Sequence, residues 1–188
     1  MMSKNSLLKT AAFLCQLING AFILVLVILT IFFIHFQVDR DFYNGWHADK
    51  PIKDNSIKFE KVIGEEVSDE DVIYMTDWNT ASLYFNYLRF AGIILLMYLA
   101  IKQFQNVLTS VENLETFKTT NVQAFQRIGV YCLIISGLSW ITMWDFGYYH
   151  VSGFHLDFDF LIIALLAFIF AEIFKEGNQL VEENKLTV

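Results

Sequence analysis

Proline is almost missing from this chain, with one in 188 residues, Pro51. It lies in a loop between apolar runs, so no run carries the mid-membrane helix break common in transporter folds, and the two halves show no repeat. The two cysteines, Cys15 and Cys132, each lack a CxxC partner, which removes the usual basis for redox chemistry. Positive charge is scarce, 13 Lys and Arg against 20 Asp and Glu. The resulting net charge of −7 disfavours direct nucleic-acid binding, because repulsion from phosphates has to be offset. Catalytic signatures are absent as well: there is no HExxH, GxSxG, GxxxxGK or Rossmann glycine fingerprint. With nothing to activate a nucleophile, the expectation is a non-enzymatic protein without cofactor or metal.

What is abundant is apolar surface, 55% hydrophobic and 16% aromatic residues, gathered into runs too long for a small soluble core. Residues 10–38 contain no formal charge, and residues 21–34 are nearly all Ile, Leu, Val and Phe. The run ends in His35, Phe36, Gln37 and Val38, with no small-residue cleavage site, so it reads as an uncleaved anchor. A second run, 78–101, holds one charge, Arg89, and a third, 128–144, holds none. The fourth, 158–173, is short and interrupted by Asp159 and Glu172, both at interface levels. The expected fold is an all-α membrane protein, a four-transmembrane-helix bundle in a lipid bilayer, with spans near 10–36, 80–104, 127–146 and 157–174. A single domain, 1–188, then carries a loop at 37–79, an elbow at 105–126 and a tail at 175–188.

Basic residues near span ends favour the cytoplasmic side. Lys4, Lys9, Lys102, Lys118, Arg127, Lys175 and Lys185 share one side, whereas residues 145–157 hold no Lys or Arg. This implies an inner-membrane protein with both termini cytoplasmic. Residues 39–77 hold eleven carboxylates against five basic residues, making the extracytoplasmic loop acidic. Its pieces 57–63 and 72–78, β-branched and aromatic around Gly64 and an acidic turn, read as a small β-hairpin between helices 1 and 2. Beyond the second span, Phe104, Val107, Leu108, Val111 and Leu114 recur at helical spacing and predict an amphipathic extension. Thr120 with Gln123 fits a capping box opening the third helix.

Arg89 sits about two turns inside the outer end of its helix, a costly place for a lone charge. Asp145, Asp157 and Asp159 lie at the same level, so an outer ion-pair cluster is expected, with snorkelling or a ligand site as alternatives. His150 and His155, with His47 at a distance, add metal-ligand chemistry, but the spacing fits no zinc motif. The run Glu65, Glu66, Asp69, Glu70 and Asp71 lacks the EF-hand order and glycine and reads as a solvated turn. Cys15 and Cys132 read as small core residues at one depth, and Gln16, Asn19 and Gly20 as packing positions. Glu172 is expected to pair with Lys102 or Arg127.

Two segments carry a resemblance. The first is Thr116-Phe117, a polar stretch with Asn121, then Arg127-Ile128-Gly129; the second is Phe174, Gly177, Leu180, Glu182, Glu183 and the terminal Leu186-Thr187-Val188. Together they resemble the DUF2975 family, bacterial membrane proteins of about four spans. Thr116 replaces the usual proline, and Arg127 alone remains of the usual basic residues. No reaction is implied. Family members are often encoded beside a small helix-turn-helix regulator, which implies a membrane partner for such a protein. A sensor or adaptor is therefore expected, with Phe117, Asn121, Arg127, Phe174, Gly177, Leu180, Leu186, Thr187 and Val188 as its docking surface. The alternative is a small transporter or channel subunit built around Arg89.

Overall fold

The computed structural model describes residues 4–48, 58–62, 73–147 and 149–186. Thr187, Val188 and the acidic turn with Glu65, Glu66, Asp69, Glu70 and Asp71 lie outside the described residues, as do the side chains of His47 and Leu186. Four helices dominate: α1 (Lys4–Val38), α2 (Thr80–Glu112), α3 (Thr119–Ser139) and α4 (Asp159–Leu186). Short strands accompany them: β1 (His47–Ala48), β2 (Lys58–Val62), β3 (Ile73–Tyr74), β4 (Ile141–Phe146) and β5 (Tyr149–His155).

Two helices, α1 over Ser6–Val38 and α2 over its whole length, are long and apolar enough to cross a membrane, and only 6% of the most apolar stretch of each is buried. A soluble core helix would show the reverse, because large apolar side chains on all sides are stable only in a hydrocarbon solvent. Leu17, Ile28 and Leu95 are among those exposed. The chain is thus a membrane protein. In α4 the uncharged run 160–171 is shorter than the ~20 residues of a full span, while α3 keeps a wide face buried, from Asn121 to Ser136.

The chain divides into two compact units, the first comprising Met1–Leu24, Ile94–Ser136 and Phe158–Val188, the second Val25–Ile93 and Gly137–Asp157. In the first, Val107 of α2, Val122, Phe125, Ile128 and Cys132 of α3, and Ala164, Ala167 and Ala171 of α4 form the core. The alanine stripe lets helix backbones approach closely, and at Gly129 an added Cβ would stand 2.7 Å from the Phe168 ring. Cys15 and Cys132 are both buried free thiols. The α2 extension forms as far as Glu112, short of the expected Leu114, and ends in a Schellman motif: Glu115 N donates to Ser110 O (3.0 Å) and Leu114 N to Val111 O (3.2 Å). That motif requires a left-handed residue, usually glycine; here it is Leu114, at φ +62. Helix α3 opens at Thr119, which puts Thr120 inside the helix rather than at the predicted cap.

In the second unit, Phe36, Tyr43 and Leu83 pack with Phe32, Phe33, Met75 and Trp78. Arg40 lies over the Phe36 ring at 5.0 Å and donates to the Trp78 carbonyl. The strands make two antiparallel sheets, β1–β3 and β2–β5–β4.

Two expectations are corrected here. The third helix does not run to residue 146, because Ile141–Phe146 is a strand paired with Tyr149–His155. β-Branched and aromatic side chains suit that pleated surface, and Gly147, directly after β4, takes a φ of +76, which glycine adopts without steric cost. Nor do the two loop segments form one hairpin: Lys58–Val62 pairs with β5, and Ile73–Tyr74 pairs with His47–Ala48. The fold is accordingly mostly helical with small antiparallel sheets, rather than all-α.

Candidate functional site

A helix that stops and becomes a strand leaves carbonyls without partners. In the second unit this happens at the junction of α3 and β4, and the N-terminal turns of α2 supply the donors. Asn79 N donates to Asp145 O (2.8 Å). Ser82 Oγ donates to Met143 O (2.9 Å), joined there by Asn86 Nδ2 (2.7 Å). Arg89 Nε donates to Leu138 O (2.8 Å), and a terminal Arg89 nitrogen to Ser139 O (3.0 Å). Positions 82, 86 and 89 share one helical face, so α2 presents a ladder of donors along the bare carbonyl edge.

Ser82 and Asn86 are almost wholly buried. The Ser82 hydroxyl also accepts from Trp78 Nε1 at 3.2 Å, and Asn86 Nδ2 reaches the Ser82 carbonyl at 2.9 Å. Asn86 Oδ1 has no partner among the described residues, so the side chain serves as a donor. The ladder also covers the outer edge of β4, blocking further strand pairing there.

Arg89 therefore replaces the expected ion pair with a different role. Its guanidinium caps the C-terminus of α3, where partial negative charge gathers, and lies 5.4 Å from the Phe90 ring centre. Among the described residues it makes no ion pair. Asp145 instead meets His150 Nδ1 at 2.7 Å across the β4–β5 register. The Asp157 carbonyl accepts from Trp140 Nε1 (3.2 Å), and Asp159 opens α4, where a carboxylate suits the helix dipole. Among the described residues no three His, Cys, Asp or Glu side chains converge on a metal position. Ser82 and Asn86 escaped the sequence reading, although their shared face with Arg89 in an otherwise apolar helix was the available signal.

The first unit holds the second constellation. Asn121, 3% exposed, donates through Nδ2 to Ser110 Oγ (2.9 Å), Thr116 O (2.8 Å) and Glu115 O (3.2 Å). One amide thereby fixes the turn between α2 and α3. Phe117 lies against Gly177, where an added Cβ would be 2.3 Å from the ring, and its ring centre is 5.7 Å from Phe174. Phe174 continues to Phe125 at 5.0 Å. Beside this stack Phe117, Ile169, Ile173, Gly177 and Leu180 line an open apolar groove edged by Glu172 and Glu176. Asn121 and Arg127 line a separate polar groove between α2 and α3, so the expected docking residues fall on two surfaces. Glu172 pairs with Lys175 at 2.7 Å rather than with Lys102 or Arg127. That hydrogen bond raises the Lys175 pKa.

A helical membrane protein with two polar clamps on its backbone is the class these features define. The chain belongs to the DUF2975 family, described as a protein of unknown function, whose model matches residues 66–188. The matched stretch takes in α2, α3, α4 and their connections, including both clamps. No curated protein and no solved structure matches the chain.

Proposed function

We propose that this chain is a non-enzymatic membrane adaptor or sensor of four spans, with both termini and the α2–α3 turn in the cytoplasm and the strands outside. The bias of Lys and Arg toward the termini and the α2–α3 turn supports that orientation. The observation that carries the adaptor reading is the seating of Phe117 on Gly177. It ties the turn to the C-terminal part of α4 and leaves Ile173 and Leu180 exposed beside it, at 53% and 60%. An exposed apolar stripe next to a fixed turn suits a protein partner, and the family resemblance suggests a cytoplasmic helix-turn-helix regulator.

The test is co-purification of such a regulator with the full chain from detergent. Leu180→Glu, in the tail beyond the fourth span, should reduce its recovery while membrane insertion is unchanged. Undiminished recovery with that change would remove the reading. The transporter alternative is weaker, since the guanidinium it would be built on is already engaged by two backbone carbonyls.

A further inference from the structure

The first unit contains an open-sided cavity of about 380 Å³ lined by apolar side chains, several of them, such as Leu166 and Phe170, partly exposed at its mouth. Phe22, Phe104, Phe125, Phe160 and Phe170 form its walls, and the small side chains of Ala100, Ala167 and Cys132 leave the room between them. Its volume falls in the ~300–1,000 Å³ range of small-molecule sites. All four helices contribute, and among the described residues no charged side chain lines it.

We infer that this cavity binds one acyl chain of a bilayer phospholipid. Water is disfavoured as occupant, because the apolar lining offers it no hydrogen-bond partners and the open side faces hydrocarbon in the membrane placement. Emptiness would forfeit dispersion contact along every wall. A helix from another protein is too thick, at ~10–12 Å with its side chains, for a space of about 380 Å³. A flexible hydrocarbon chain is thin enough to enter, and it is the material surrounding the apolar faces of α1 and α2. The site rests on the membrane placement of the chain and is independent of any regulator.

The test reconstitutes the full chain in vesicles doped with a phospholipid carrying a diazirine at the end of one acyl chain. After irradiation, labelled peptides are mapped by mass spectrometry. Label should be several-fold denser on the peptides holding Ala100, Cys132 and Ala167 than on the exposed face of α1 around Ile28 and Ile31. Ala100→Phe should remove the cavity label and leave the α1 label unchanged. Native mass spectrometry of the wild-type chain released from mild detergent gives a second readout, one retained phospholipid. Equal labelling of cavity and α1, with no retained lipid, would mean annular contact alone and overturn the site while leaving the membrane reading intact. Absence of label from both would overturn the membrane reading together with the site.

Discussion

Replacing Arg89 separates a backbone cap from an ion pair. In the structure its guanidinium makes two charge-assisted hydrogen bonds, to Leu138 O at 2.8 Å and Ser139 O at 3.0 Å. Such bonds contribute roughly 1.5–3 kcal/mol each, and contact with the Phe90 face adds ~0.5 kcal/mol. Arg89 is only half-buried, and water or lipid headgroups recover part of the loss, so Arg89→Ala should cost about 3 kcal/mol. Arg89→Lys keeps the charge but reaches one carbonyl, and should cost about half as much. The assay is equilibrium or thermal unfolding in detergent, combined with double-mutant cycles against Asp145→Asn, Asp157→Asn and Asp159→Asn. A carbonyl cap predicts coupling within about 0.5 kcal/mol for all three cycles. Coupling above about 1 kcal/mol in any of them would show that a carboxylate holds the arginine and that the cap is wrong.

The first unit gives three more expectations. Asn121→Ala strands the acceptors that its amide joins and should lower stability by about 2 kcal/mol, with faster proteolysis in the α2–α3 turn. Gly177→Ala forces the Phe117 ring aside, for an overpacking cost of about 1–3 kcal/mol. Phe117→Ala in the same chain should return part of that loss, and strictly additive melting changes would contradict the contact. Leu114→Gly relieves a left-handed backbone costing about 1–2 kcal/mol against about 0.5–1 kcal/mol of added chain entropy. A rise in the melting temperature is expected, and a fall would count against the Schellman geometry.

Helices α1 and α2 are legible in the sequence because long apolar runs with at most one charge have few other solutions, and most of the α2 extension because its apolar residues keep helical spacing past Ile101. The end of α3 was not, since residues 128–144 stay apolar across the change from helix to strand and hydropathy reads both alike. Of the loop segments near 57–63 and 72–78, strand is legible at Lys58–Val62 and Ile73–Tyr74, but not the 3-10 turn Met75–Asp77 that follows, and the pairing is not legible either, since composition does not encode which edges meet. Arg89 was flagged by its cost in hydrocarbon. Its acceptors were invisible because every residue has a carbonyl, and only the fold shows which ones lack a partner. Phe117 and Gly177 stood out through the family pattern, and the structure supplies the reason for it, an aromatic ring that leaves no room for a Cβ.

The account depends on α3 crossing the bilayer, so that the α2–α3 turn and the β4–β5 turn face opposite sides. Single cysteines at Asn113 and at Gly147, in a chain with Cys15→Ala and Cys132→Ala, can be probed on intact cells with a membrane-impermeant maleimide. Labelling of the Gly147 position from outside, and of the Asn113 position only after permeabilisation, is the predicted result. Equal labelling of both positions in intact cells would contradict it.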